Sequence, residues 1–414
     1  MTVLDELIQE LCPEGVAYKT LGEIATDVFR GAGITRDQVR ETGTPCVRYG
    51  EIYTTYGVWF EDCVSHTDET LLTSKKYFDY GDILFAITGE SVEDIAKCCA
   101  YIGHETCLAG GDIVVLKHNE DPKYLSYALS TLDAQKQKSK GKVKSKVVHS
   151  SVPDIKAIRI PVPPLPVQRE IVRILDNFTE LTAELTAELT ARKQQYAYYR
   201  DKLLSTNNSS VPVVELRDIV KKSCSGATPA KGNAEYYENG TIPWIRTQDV
   251  RFNEITEVNS YITEKAVSET ATKWIPENCV IVAISGATAG RCAINKIKAT
   301  TNQHCLNLII DDSMALYRYV FHCLCSKYEE LISRKQGARG DLNSSLILSL
   351  PIPVPSLSVQ NRLVDVLDNF DAICSDLNIG LPAEIEARQK QYEFYRDKLL
   401  SFKEVSTNEQ WKEV

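Results

Sequence analysis

Apolar residues recur at spacings of three and four through two stretches of the chain. In the first they fall at Ile171, Ile174, Phe178, Leu181 and Leu185, and in the second at Leu363, Val366, Phe370, Ile373 and Leu377. That is the a/d seam along which one helix lies on another. The first seam then steps by four to Leu189 and runs on through Tyr196, Tyr199 and Leu203, a stutter that locally unwinds a supercoil. The second runs on through Ile385, Tyr392, Tyr395 and Leu399. A helix of roughly 38 residues is predicted, about 55 Å long at 1.5 Å per residue, which is a spacer's length rather than a compact domain's. Elsewhere short β-like runs dominate, at 83–87, 113–116, 280–284 and 306–310, separated by glycines and turn residues. One helix is expected after each last strand, over 123–138 and 315–335. The predicted class is α+β: two mixed α/β globules, each followed by a long helix.

The two helical stretches are copies. Residues 192–205 read RKQQYAYYRDKLLS and residues 388–401 read RQKQYEFYRDKLLS, identical at ten of fourteen positions. Upstream, PVPPLPVQ at 161–168 answers PVPSLSVQ at 353–360, and Leu175-Asp176-Asn177-Phe178 recurs as Leu367-Asp368-Asn369-Phe370. The repeat includes the globules. Residues 16–25 match 211–220, Gly31-Ala32 matches Gly226-Ala227, Cys46-Val47-Arg48 matches Trp244-Ile245-Arg246, and 82–89 match 279–286. Proline-rich segments at 160–166 and 352–358 and a polar one at 205–210 mark the boundaries. The expected domains are therefore a globule over 1–158, a helix over 159–207, a globule over 208–350, and a helix with its tail over 351–414. Gly380-Leu381-Pro382 interrupts the second helix by the usual rules for helix ends and starts. Away from the matched signposts the globules differ almost completely, as two recognition modules with different targets would.

With 43% hydrophobic residues in 414, each globule can bury its own core. Thirteen cysteines without a zinc-type CxxC spacing read as reduced structural thiols. The absence of an apolar run of eighteen residues and the acidic, amphipathic start predict a soluble, cytoplasmic protein. The net charge of −9 argues weakly against nucleic acid as a partner, but DNA responds to local charge. Residues 136–146, KQKSKGKVKSK, place lysines on alternate positions, either as a solvated loop or as one that tracks phosphates through Lys140, Lys142, Lys144 and Lys146. No GxxxxGK[ST], GxGxxG or GxSxG occurs. Asp121-Pro122-Lys123 offers half of a nuclease motif without a partner carboxylate. No catalytic residue, no metal ligand and no cofactor of the chain's own are expected. Loop residues of the types that read bases are Arg30, Arg36, Gln38, Arg48, Tyr49 and Tyr53 in the first globule, and Arg246, Gln248, Asp249, Arg251, Asn302, Gln303 and Arg339 in the second. Arg reads guanine, and Asn or Gln reads adenine, through paired hydrogen bonds.

The Pro163-Pro164-Leu165-Pro166-Val167-Gln168 start, the long helix with LDNF, the paired YRDKLL helix ends and the duplicated globule together resemble the specificity subunits of type I restriction-modification enzymes. The resemblance covers almost the whole chain. It implies two target recognition domains, each reading one half of a split site on double-stranded DNA, and helices that pair as an antiparallel coiled coil. That coiled coil, with Phe178, Leu181, Leu185, Leu189, Tyr196, Tyr199, Phe370, Ile373, Leu377, Tyr392, Tyr395 and Leu399 in its seam, would space the domains and dock two methyltransferase subunits. S-adenosylmethionine, ATP and Mg would belong to the methyltransferase and the restriction/translocase subunits. The alternative is a structural coiled-coil scaffold whose globules bind proteins.

Overall fold

The computed structural model describes residues 2–140, 142, 147–205, 210–334, 341–376 and 378–405. They form two compact units, Met1–Leu185 with Ile385–Val414, and Thr186–Glu384.

Unit 1 is built on a five-stranded sheet ordered Ala25–Arg30, Ile113–His118, Ile83–Ala86, Cys98–Tyr101 and Trp59–Phe60, antiparallel except for the last pair. Its inner strands are unbroken apolar runs because both faces are covered. Alternate side chains leave opposite faces. Ile83, Phe85, Val114 and Leu116 join Leu125 and Tyr127 of helix Pro122–Leu129 in one core. Leu84, Ala86, Ile113 and Val115 meet Val47, Phe78 and Cys107 in another. These last belong to a second sheet, ordered Val39–Arg40, Ser65–Thr67, Thr44–Val47, Cys107–Ala109 and Tyr77–Phe78.

Unit 2 repeats the five-stranded sheet strand for strand, while its second sheet has four strands where that of unit 1 has five. Its five-stranded sheet is ordered Val220–Ser225, Cys305–Ile310, Val280–Ala283, Cys292–Asn295 and Asn253–Ile255, again with only the last pair parallel. Helix Tyr317–Ser326 covers one face. The other meets the sheet Tyr261–Ile262, Ile242–Ile245, Ala299–Thr301 and Trp274–Ile275. The helices expected over 123–138 and 315–335 are each two: Pro122–Leu129 then Leu132–Ser139, and Tyr317–Ser326 then Tyr328–Ser333. Thr131 makes the first break, since its hydroxyl donates to Ala128 O and accepts from Ala134 N, starting a new helix.

Leu165–Leu203 is one helix of 39 residues, as its periodicity predicts. The second copy is two helices, Leu357–Ser375 and Leu381–Leu399. At the break, a Cβ on Gly380 would stand 2.5 Å from Ala372 O, so the close turn requires glycine there. The unit boundaries fall at Leu185/Thr186 and Glu384/Ile385, inside Leu165–Leu203 and Leu381–Leu399. Within unit 1 Phe178 stacks on Tyr395 at 5.5 Å, and within unit 2 Tyr199 stacks on Phe370 at 6.4 Å.

The repeated glutamine of the proline-rich segments fastens each long helix to its globule. Gln168, fully buried, donates to Pro163 O and Glu120 Oε2 (both 2.7 Å) and accepts from Asp121 N (3.0 Å), at the start of helix Pro122–Leu129. Gln360, also fully buried, donates to Met314 O and Pro355 O and accepts from Leu316 N. The LDNF aspartate adds a charged clamp: Asp176 receives Lys123 (2.8 Å) and the Tyr127 hydroxyl (2.7 Å), and Asp368 receives Arg318 (2.5 Å) and His322 (2.7 Å). Among the described residues no helix is long and apolar enough to cross a membrane.

Candidate nucleic-acid interface

Each unit carries a cleft at the same place in its repeat. In unit 1 the loop after strand Ala25–Arg30 meets the loop after strand Cys107–Ala109: Ala32 N donates to Ala109 O (2.9 Å) and Gly110 N donates to Val47 O (2.8 Å). In unit 2 Ala227 N donates to Thr301 O (3.0 Å) and Asn302 N donates to Ile245 O (3.0 Å). The approach requires glycine, because a Cβ on Gly31 would lie 2.1 Å from Gly110 O and one on Gly226 1.8 Å from Thr301 O. The spaces so framed are about 580 Å³ in unit 1, with Arg36, Arg48, Tyr49, Glu51 and Asp112 on the wall. In unit 2 the space is about 640 Å³, walled by Lys231, Trp244, Arg246, Asn302, Gln303 and His304.

One arginine holds the same place in both. Arg48 and Arg246 each follow a strand and cap the next turn, their backbone N–H donating to an acid three residues on, Glu51 Oε2 (3.0 Å) and Asp249 Oδ2 (2.8 Å). Glu51 also holds the Arg48 guanidinium at 3.0 Å through both Nε and Nη2, and accepts the Ser65 hydroxyl at 2.7 Å. The Arg246 guanidinium instead lies over the Trp244 ring, 5.9 Å from its centroid.

The other expected base-reading residues divide by what already occupies them. Arg36 and Tyr49 are exposed on the first cleft wall. Arg30 sits at the edge, with its guanidinium on Gly111 O and Asp112. The Gln38 amide is taken up in capping, accepting from Thr35 N and donating to Leu71 O. Tyr53 turns inward, its hydroxyl donating to Ala86 O, and burial pushes it up to about 12. In unit 2 Gln303 is exposed, its carbonyl accepting the Thr228 hydroxyl (2.5 Å). Asn302 is 8% exposed and holds His304 N. Gln248 and Arg251 lie outside this cleft, the Arg251 Nε donating to Gln248 O (2.6 Å). Arg339 lies outside the described residues, as do Lys144 and Lys146. Of the remaining lysines, Lys140 is exposed, Lys142 is paired with Asp154 at 2.7 Å, and Lys138 is buried, donating to Leu129 O at the end of helix Pro122–Leu129. The alternating run is thus not a single solvated comb. Lys231, Asp112 and His304 were missed. They follow the glycine and strand signposts in both copies, and aligning those would have found them.

Of the seam residues, Tyr392 is buried against Tyr127, Leu399 packs on the core of unit 1, and Leu181, Leu185, Leu189 and Tyr196 are half-buried. Ile373 departs from expectation: it is 46% exposed, and Val366 is 44% exposed, while Val364, Leu367 and Cys374 are buried. The most buried face of helix Leu357–Ser375 meets helix Tyr317–Ser326 of its own globule, a partner that a two-helix seam leaves out. Leu377 lies outside the described residues.

A family model described as the type I restriction modification DNA specificity domain matches the chain twice, over residues 13–192 and 208–387. Two type I restriction enzyme specificity subunits of Escherichia coli are similar. One is 39% identical over 296 residues, 69% of this chain and 72% of that protein. The other, the EcoprrI subunit, is 34% identical over 194 residues, 44% of this chain and 47% of that protein. Among solved structures, a chain of a type I restriction-modification system superposes with a TM-score of 0.68 at 17% identity, over 94% of this chain and 98% of that one. The specificity subunit from M. genitalium gives 0.52 at 15% identity, over 97% and 99%.

Proposed function

Because the chain belongs to the type I restriction-modification DNA specificity family, we propose that its two clefts read the two halves of a bipartite site on double-stranded DNA. The chain is the sequence-recognising, non-catalytic component of such a system. The observation that carries the split-site reading is the doubled cleft: one frame, fixed by Gly31 and Gly226, Ala32 and Ala227, Arg48 and Arg246, bears two different linings. A shared frame holds each surface against a duplex in the same way, and the linings choose the bases. In this reading the long helices set the unread spacer between the half-sites. They also dock two methyltransferase subunits in the cytoplasm, through exposed apolar side chains such as Tyr198 (60%) and Phe394 (63%). S-adenosylmethionine, ATP and Mg are bound by the methyltransferase and the restriction/translocase partners. The scaffold alternative has no comparable support, since a scaffold has no need of two clefts at equivalent places in the repeat.

The test exchanges residues 16–152 for the equivalent part of a related subunit and sequences methylated bases in the host genome. One half of the methylated site changes and the other stays. If both halves change, the modular assignment is wrong.

A further inference from the structure

Arg48 and Arg246 share a position and differ in what faces them. Glu51 reaches back to neutralise the Arg48 guanidinium, and it is itself only 7% exposed. Asp249, one methylene shorter, reaches the backbone N–H of Arg246 but makes no ion pair with its guanidinium. Arg246 Nε is buried, and among the described residues it has no hydrogen-bond partner. A buried charged donor left unpaired costs free energy, and because the Arg246 side chain lines the second cleft, an acceptor entering there would meet a guanidinium with no protein counter-ion. Trp244 behind the guanidinium and the Trp244 Nε1 bond to Ala227 O (3.2 Å) fix the plane in which those donors are offered.

Resting on the specificity reading above, we propose that Arg246 is a specificity-determining residue of the second half-site and that it reads a guanine, whereas Arg48 is held back from base reading by Glu51. Guanine presents two adjacent acceptors, N7 and O6, in the major groove, and the guanidinium fork matches them with two parallel N–H donors. Drawing Arg48 onto a base would strip a buried carboxylate of its counter-ion, a penalty that Arg246 does not face. The two copies thus carry an arginine at one framework position, and only the second has its guanidinium free of an ion pair and open to a base.

The experiment assembles the full chain with its methyltransferase subunits, as wild type, Arg246→Gln and Arg246→Lys, and sequences methylated DNA. Both variants are expected to lose a required G·C pair at one position of one half-site, with discrimination there falling about 5- to 150-fold, while the other half-site serves as the internal control. Arg246→Lys keeps the charge and loses the fork, so it decides the matter if Arg246→Gln does not assemble. Methylation that weakens at every sequence alike, with no base relaxed and a flatter salt dependence, would assign Arg246 to a phosphate and overturn the proposal. So would an Arg48→Gln variant that relaxes a base of the first half-site. If the wild-type complex methylates no split sequence, the specificity reading itself fails. If it does and Arg246→Lys keeps every base, only this assignment fails.

Discussion

Residues 178–191 read FTELTAELTAELTA, in which Thr-Ala-Glu-Leu occurs in full at 182–185 and 186–189. The boundary between the compact units falls between these two copies, at Leu185/Thr186. From Thr182 to Thr190 only Thr182, Leu185 and Leu189 are even half-buried, so the tract belongs to neither core. Inserting one more tetrad after Leu189 adds good helix formers to an exposed stretch of a continuous helix. The cores are untouched, and melting should shift little. Four residues add about 6 Å of rise and leave a net rotation near 40°. One DNA base pair rises about 3.4 Å and turns roughly 34–36°. Rotation favours a step of one base pair, and rise caps it below two. The insertion should therefore leave the bases of both half-sites unchanged and lengthen the unread spacer by one base pair, or at most two, and deletion of a tetrad should shorten it likewise. Methylome sequencing of the variants reads this directly. An unaltered spacer would mean that this helix does not set the distance between the half-sites, and altered half-site bases would mean that the clefts are not independent of it.

Changing Lys140, Lys142, Lys144 and Lys146 together to Ala should weaken binding to specific and random duplex alike and reduce the log–log salt slope by about 0.9 for each phosphate no longer neutralised. Lys142, already paired with Asp154, should contribute less than Lys140, and an unaltered slope would return the run to solvent. Unit 1 should also lose stability in mild acid through His118. Burial lowers its value from 6.5 to about 4, so the unfolded chain takes up a proton before the folded one does. The His118 contribution is full above pH 6.5 and falls as the pH drops through the interval to about 4, by about 3 kcal/mol in all. His118→Asn should flatten that part of the stability–pH curve, and equal slopes in both proteins would remove His118 from the account.

What the sequence made legible follows from what dictates each feature. Strands such as Ile83–Ala86 and Val280–Ala283 were readable because burial on both faces leaves an unbroken apolar run. The duplication was readable because residues such as Gln168 and Gln360 perform one task twice, and three hydrogen bonds each allow no other side chain there. The clefts were only half readable. Polarity put Gln38 and Arg36 on one footing, yet the amide of Gln38 goes to Leu71 O, a partner 33 positions away that no local pattern names. Lys138 looked like its neighbours and is buried, because the break at Thr131 turns helix Leu132–Ser139 so that one lysine points inward to Leu129 O. Ile373 fitted the seam and is exposed, because the face facing the globule outweighs the face facing the other helix. For Gln38 and Ile373 a non-local interaction overrides the local pattern, and for Lys138 a helix break nearby does. The two arginines are the opposite case. Glu51 and Asp249 each stand three residues after an arginine that the repeat had already aligned, and the structure turns on the single methylene between them. One carboxylate is long enough to reach past the backbone N–H to the guanidinium, and the other leaves that guanidinium without an ion pair. Two copies compared at matched positions therefore carry information about their targets that neither carries alone, and it lies in the residues that hold the readers back as much as in the readers.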